Sequence, residues 1–187
     1  MAIKVHAGLA RAGQIAAPND EPWARALLIA EELRPIRCNK GMRVLPDVTF
    51  DDAPPLDVLL VPGGDGRRRE IDNPVLLGFL RRAGEGARWV TSVCTGAFLL
   101  HGAGLAENKK VTTHFASIES LRERGRVTVL ERVRYVRDGR VVTSAGVSAG
   151  IDMSLWLIGQ LETPTFSRDV QRYLEYDPAP PYAAAVD

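Results

Sequence analysis

Two apolar runs with a helical stretch between them constrain the fold more than any other part of the sequence. The first run, residues 56–61, is almost continuously aliphatic and ends in a glycine turn, a pattern typical of strands covered on both faces of a parallel sheet. Residues 74–84 have helical spacing, and residues 89–93 form a second, partly β-branched run. This strand–helix–strand unit predicts an α/β fold with a mostly parallel sheet and a right-handed crossover.

One antiparallel hairpin is expected within this pattern. Asp138 and Gly139 separate two alternating runs, 134–137 and 140–143, and Asp-Gly is among the strongest short-range signals for a hairpin turn. The chain has 187 residues, of which 45% are hydrophobic and 25% charged, as in ordinary globular proteins. We therefore expect residues 1–187 to form a single domain.

Composition excludes several classes of function. The formal net charge of +1 gives no overall attraction to nucleic acid or to an anionic membrane surface. The N-terminus lacks a signal-peptide core, no apolar stretch is long enough to span a bilayer, and two cysteines do not make a disulfide framework, so we expect a cytoplasmic protein. The cysteines and histidines lack metal-ligand spacing, and we expect no metal.

Cys94 lies where the second apolar run turns into an apolar helix. Helix amides without an intrahelical partner would stabilise a thiolate at such a turn, which makes Cys94 a candidate nucleophile. Free cysteines are also among the most frequently buried residues, so a structural core cysteine is an equal alternative at this point. Gly63 and Gly64 follow the first strand and should lie at the same edge of the sheet. Their amides, with the amide of Thr95, are candidate donors to a developing negative charge.

No base is evident beside this thiol in the sequence. The residue after Cys94 is Thr95 and not a histidine. His101 lies on the apolar helix and is interpreted as a packing or interface residue, whereas His114 ends a short predicted strand and is a candidate for the same pocket as the thiol. The three arginines at 67–69 are interpreted as a solvated loop edge, with steering of an anionic substrate as the alternative.

Eight segments, in order across residues 36–182, carry a resemblance to a known family: 56–58, 62–64, 90–96, 112–114, 137–139, 143–146, 149–152 and 175–178. In these segments the chain resembles the ThiJ/PfpI superfamily, also described as class I glutamine amidotransferase-like, and within it the isonitrile hydratase-like branch. A threonine after the cysteine is similar to isonitrile hydratases, whereas the peptidases and amidases of the superfamily tend to have histidine there.

The resemblance implies a flavodoxin-like three-layer sandwich, usually a homodimer, with Cys94 at a nucleophile elbow. Cys94 and Thr95 would be the catalytic residues, beside Gly63, Gly64 and His114 as candidate oxyanion- and substrate-binding residues. The implied partner is a small-molecule substrate, an isocyanide. Its terminal carbon is attacked by the thiolate, and water resolves the thioimidate to an N-substituted formamide without any cofactor.

The N-terminus departs from the family pattern, in which a buried strand leads to a first helix that carries an acid. In the favoured alignment residues 3–9 match that helix, Lys4 replaces the acid, and the missing strand leaves a slot to be filled by a partner or by residues 1–7. In the other alignment residues 3–7 are the first strand, and Asp20 or Glu21 is a displaced acid. Either alignment leaves the general acid or base open.

Other functions remain open from the sequence. A cysteine amidase, peptidase or deglycase of the same superfamily is one, although Thr95 in place of histidine counts against it. A non-catalytic small-molecule sensor is another, because similar domains form the N-terminal half of AraC-type regulators. A redox role is a third, since an exposed, reactive thiol oxidises readily.

Overall fold

The computed structural model describes residues 24–178 and, as backbone alone, the segment at residues 2–4. The strands are β1 (Ala2–Lys4), β2 (Leu27–Ala30), β3 (Ile36–Arg37), β4 (Arg43–Val44), β5 (Val48–Thr49), β6 (Val58–Val61), β7 (Trp89–Val93), β8 (Lys109–Val111), β9 (Val127–Val129), β10 (Tyr135–Asp138) and β11 (Val141–Ser144). The helices are α1 (Arg67–Glu70), α2 (Pro74–Gly86), α3 (Ala97–Gly102), α4 (Ile118–Arg122), α5 (Ala149–Leu161) and α6 (Pro164–Tyr173). Two 3-10 turns, Cys94–Gly96 and Phe115–Ser117, precede α3 and α4.

Seven strands form the central sheet, in the order β10–β11–β7–β6–β1–β2–β5. Strands β6, β7 and β11 are parallel, and α2 connects β6 to β7 as the sequence predicts. Asn73 caps α2, because its side chain accepts hydrogen bonds from the amides of Val75 and Leu76. The predicted α/β class is therefore confirmed.

Antiparallel pairing includes the predicted hairpin of β10 and β11, in which Asp138 lies opposite Val141. Gly139 in its turn has a φ of 63°, a left-handed conformation that glycine adopts without strain. Antiparallel pairs also occur between β3 and β4 and on both sides of β1. The central sheet is thus more mixed around β1 than the single expected hairpin implies, and β3 and β4 form a separate two-stranded sheet.

Strand β1 lies in the middle of the sheet, between β2 and β6, and is antiparallel to both. Residues 2–4 therefore fill the slot that we expected a partner or residues 1–7 to fill. Lys4 belongs to this strand, so its favoured assignment to the first helix is wrong. The physical reason is that the backbone groups of β2 and β6 need partners, which an extended segment supplies. Asp20 and Glu21 lie outside the described residues.

Helices cover both faces of the sheet and make three layers. Side chains that alternate along β6 and β7 point to opposite faces. One face packs against α2, α3 and α4, and the other packs against α5. The first set includes Leu59, Val61, Val90, Phe79, Phe98 and Leu121, and the second includes Val58, Leu60, Trp89, Val142 and Met153. Within residues 24–178, none of the helices has the length and apolar character needed to cross a membrane.

Candidate active site

Cys94 is the first residue of the 3-10 turn that links the end of β7 to α3. Its φ is 57°, in the left-handed region that residues other than glycine rarely adopt. Such a conformation costs free energy and persists only where the surrounding structure enforces it. The side chain is half-buried. The turn therefore presents a thiol on a strained backbone at the carboxyl end of a central strand.

Hydrogen bonds from later parts of the chain hold both backbone groups of Cys94. Its amide donates to the carbonyl of Ala145, just after β11, at 2.9 Å. Its carbonyl accepts from the hydroxyl of Thr113, also at 2.9 Å. Thr113 is almost fully buried, so water does not compete for this hydrogen bond. These two contacts supply the constraint that the left-handed conformation requires.

Glycines allow the backbone of the turn to press against the end of β6. A Cβ atom on Gly63 would lie 2.7 Å from the amide nitrogen and 2.8 Å from the hydroxyl oxygen of Thr95. A Cβ atom on Gly96 would overlap the carbonyl oxygen of Val61. Neither position has room for a side chain. The predicted proximity of the Gly63 loop to the Cys94 turn is thus seen directly in the described residues.

Thr95 links the turn to the glycine loop through its side chain. Its hydroxyl accepts a hydrogen bond from the amide of Gly64 at 2.9 Å and lies 3.4 Å from the Gly64 carbonyl, to which it can donate. The amide of Gly64 is therefore already engaged, and it is not available to a ligand in this arrangement. The amide nitrogen of Thr95 lies against Gly63, since a Cβ atom there would be 2.7 Å from it. This amide is at a helical N-terminus, where amides lack intrahelical acceptors.

His114 does not end a strand, because β8 stops at Val111. Instead its Nδ1 accepts a hydrogen bond from the amide of Ala116 at 3.3 Å and caps the 3-10 turn that follows. The ring contacts a groove of about 630 Å³ formed by residues 132–134, residues 145–149 and Ile151 together with Phe115. Cys94 does not line that groove. His114 is thus next to the segment that holds Cys94 and has no hydrogen bond with the thiol.

The three arginines at 67–69 form the single turn of α1, so they are not a loop edge. Arg69 pairs with Glu70, and Arg68 is exposed. Arg67 turns inward, and its guanidinium carbon lies 3.9 Å from the centroid of the Phe98 ring on α3. Burial lowers the pKa of the Arg67 guanidinium, as do Arg68 and Arg124, whereas Cys94 and Asp65 act in the opposite direction.

A partly exposed polar cluster supports the segment that contains Ala145. The Nε atom of Arg134 donates to Asp152 at the start of α5, and the hydroxyl of Tyr176 donates to the other carboxylate oxygen at 2.9 Å. This hydrogen bond raises the pKa of Tyr176. The carbonyl of Arg134 accepts from the amide of Ala145 at 2.9 Å. These residues come from four separate segments of the sequence, 134–137, 143–146, 149–152 and 175–178, and nothing in the sequence indicates that they meet.

Among residues 24–178, no carboxylate forms a hydrogen bond with the Cys94 thiol. The same residues contain no group of three or more histidine, cysteine or acidic side chains that could hold a metal ion. His101, the remaining described histidine, contacts the loop after α4: its Nε2 lies 2.9 Å from the carbonyl oxygen of Gly125. It therefore packs α3 against that loop and does not approach the thiol through a hydrogen bond.

The model of the DJ-1/PfpI family matches residues 24–160. The chain belongs to this family. It is 41% identical over 161 residues to the isonitrile hydratase of Pseudomonas putida, an alignment that covers 86% of this chain and 70% of that protein. It is 27% identical to the glutathione-independent glyoxalase DJR-1.2 of Caenorhabditis elegans, over 75% of each chain.

A solved structure of a ThiJ/PfpI family protein from Pseudomonas syringae is similar to this DJ-1/PfpI chain with a TM-score of 0.79 and 34% sequence identity. The superposition covers 86% of this chain and 66% of that one, so the chain spans about two thirds of the length of that protein. The resemblance inferred from the eight segments, and the flavodoxin-like fold that it implies, are confirmed.

Proposed function

We propose that this DJ-1/PfpI protein is a cysteine-dependent isonitrile hydratase, with Cys94 as the nucleophile and a small isocyanide as the substrate. The observation that carries the proposal is the left-handed backbone of Cys94, at a φ of 57°. Strain of this kind is concentrated at functional sites, whereas a structural core cysteine does not need it. The similarity to the P. putida isonitrile hydratase supports the choice of reaction.

The chemistry proceeds in two steps. The Cys94 sulfur bonds to the terminal carbon of the isocyanide, and this carbon takes up a proton, which gives a thioimidate. Water then adds to the same carbon, the nitrogen takes up a proton, and the carbon–sulfur bond breaks. The products are an N-substituted formamide and the regenerated thiol, so the overall reaction is the addition of one water molecule. Splitting the hydration in this way is ordinary covalent catalysis.

The residues around Cys94 have distinct roles in this proposal. The amides of Gly63 and Thr95 are the proposed donors to the negative charge that develops as water adds, since the Thr95 amide nitrogen lies against Gly63. The Thr95 hydroxyl positions the loop through Gly64 and does not itself contact the substrate. Asp20 and Glu21, which lie outside the described residues, are proposed as the proton donors because one alignment of the N-terminus offers them as the displaced acid. Asp20→Asn and Glu21→Gln variants would identify the acid. The variant that lacks it should lose turnover, while its Cys94 should still be alkylated to the same extent as in the wild-type protein.

Incubation with cyclohexyl isocyanide, followed by chromatography for the formamide, tests the proposal. We expect formamide from the wild-type protein and from Cys38→Ala, the matched control for the other half-buried free cysteine. We expect none above the uncatalysed rate from Cys94→Ala. Equal formamide production by Cys94→Ala, or none from the folded wild-type protein, would contradict the proposal. Consumption of methylglyoxal in the second case would favour a glyoxalase.

We further propose that the protein is a homodimer, as the family resemblance implies. Exposed apolar side chains around the His114 groove support this, since Phe115 is 82% and Val147 83% exposed in the single chain. Size-exclusion chromatography with light scattering tests the proposal. A monomeric mass at micromolar concentration would contradict it.

A further inference from the structure

Two guanidinium groups lie along the same face of α3, directly after the Cys94 turn. Arg67 is stacked on Phe98, and Arg124 donates from Nε to Nδ1 of His101 at 3.5 Å. Phe98 and His101 are three residues apart on one helix, so their side chains are neighbours on one side of it. The two arginines come from distant segments, yet the fold brings both to this face.

The contacts of His101 show how Arg124 is oriented. The carbonyl of Gly125 can only accept a hydrogen bond, so Nε2 of His101 carries the proton that it donates. In the neutral ring, Nδ1 is then the acceptor for Arg124. Phe98 is 1% exposed and provides a fixed surface for Arg67. Stacking covers the face of a guanidinium and leaves the N–H groups at its edge free for a ligand.

Neither guanidinium has an ion-pair partner among residues 24–178. The nearby carboxylate of Asp65 is engaged by the side-chain amide of Asn39 at 2.6 Å. Arg122 and Arg69, which are also close in sequence, do have acidic partners. Burial lowers the pKa of Arg67, followed by the charges of Arg68 and Arg124, and the smaller effects of the charges of Cys94 and Asp65 only partly oppose this. Two neighbouring guanidinium groups without an ion-pair partner favour the binding of an anion.

We propose that Arg67 and Arg124 form an anion-binding site beside Cys94, and that the substrate carries a carboxylate or a similar acidic group. The inference about the substrate rests on the proposed hydratase function. The anion site itself does not, because it follows from the two unpaired guanidinium groups on α3. Arg67 would thus determine specificity for a charged isocyanide rather than take part in the covalent steps.

Alkylation of Cys94 by iodoacetate and by iodoacetamide tests the anion site without any enzymatic turnover. The two reagents have nearly the same size and reaction, and they differ in charge. A change in thiol reactivity alters both rates, so it cancels in their ratio. Peptide mass spectrometry measures the ratio of the iodoacetate rate to the iodoacetamide rate at Cys94, with Cys38 as the internal reference.

We expect a higher ratio at Cys94 than at Cys38. It should fall about three- to tenfold in Arg67→Gln and in Arg124→Gln, and also in high salt, because screening weakens attraction between partly exposed charges. Arg82→Gln is the matched control, because Arg82 is an exposed arginine that does not act on Arg67, and it should leave the ratio unchanged. An unchanged ratio in both test variants would overturn the anion site, as would failure of either reagent to reach Cys94. Circular dichroism verifies that each variant is folded.

Turnover of isocyanoacetate and of its neutral methyl ester tests the substrate class. We expect the wild-type protein to prefer the anion, and Arg67→Gln to lose about tenfold in kcat/KM for the anion, with little change for the ester. Equal preference in the wild-type protein would overturn the substrate class. If neither isocyanide is converted while the alkylation ratio responds to Arg67→Gln, the hydratase function fails and the anion site stands.

Discussion

The hydroxyl of Thr95 accepts a hydrogen bond from the backbone amide of Gly64 at 2.9 Å. The residue after the proposed nucleophile therefore fixes the loop opposite it, and the position of that loop depends on a side-chain oxygen. The loop in turn determines where the Gly63 amide lies relative to Cys94. This relationship gives Thr95 a positioning role that a histidine would not reproduce with the same geometry.

Thr95→Val should reduce kcat/KM for the isocyanide by on the order of a hundredfold, since small displacements of positioning groups have effects of this size. The Gly64 amide loses its acceptor, and the loop is no longer fixed. Thr95→Ser retains the hydroxyl and should keep most of the activity. Steady-state kinetics with cyclohexyl isocyanide measures both variants. Activity of Thr95→Val equal to that of Thr95→Ser would show that the hydrogen bond has no part in catalysis.

Gly63→Ala should destabilise the protein by about 1–3 kcal/mol, the usual cost of overpacking. The added methyl group would lie 2.7 Å from the Thr95 amide nitrogen, and the backbone there cannot easily move. Gly66→Ala, in the same loop, is the control, because no atom lies within 4 Å of the added methyl. Urea denaturation measures the free energy of unfolding. The prediction fails if the two variants are equally stable.

Tyr176→Phe should lower the free energy of unfolding, because Asp152 loses a hydrogen-bond donor. Tyr173→Phe provides the comparison, since Tyr173 is 60% exposed. Thermal and urea denaturation of the two variants give the difference. A Tyr173→Phe variant that is destabilised as much as Tyr176→Phe would refute the assignment.

Asp138→Asn should reduce the free energy of unfolding at neutral pH. Below the folded-state pKa of Asp138 the substitution should have no such effect. The backbone amide of Lys110 and then the charge of Lys109 lower this pKa from its usual value near 3.8. A lowered folded-state pKa stabilises the protein above pH 3.8, and the contribution is lost as pH falls through the folded-state value. Urea midpoints of wild-type and variant proteins between pH 7 and pH 2 measure the effect. A constant difference across this range would contradict the prediction.

The local patterns of the sequence predict the central part of the fold well. The aliphatic run that becomes β6, the Asn73 cap of α2 and the Asp138 turn each depend on neighbouring residues, so they can be recognised without coordinates. The position of β1 is different. Its three residues carry no strong pattern of their own, and its direction is determined by the unpaired edges of β2 and β6.

The candidate site is predicted only in outline for the same reason. The turn at Cys94 and its glycine loop follow from strand order, which the sequence reveals. The hydrogen bond between Thr95 and Gly64, the cap made by His114 and the stacking of Arg67 on Phe98 depend on contacts between distant segments. None of these three contacts has a signature in residue spacing.

The backbone hydrogen bonds of Cys94 have a consequence for synthesis on the ribosome. Both partners, Thr113 and Ala145, follow Cys94 in the chain. Cys94 therefore emerges before the residues that hold its backbone, and its strained geometry forms only after β11 has been translated. In a nascent chain stalled before Ala145, the backbone of Cys94 would be relaxed. Its thiol would be protected neither from oxidants nor from non-native contacts.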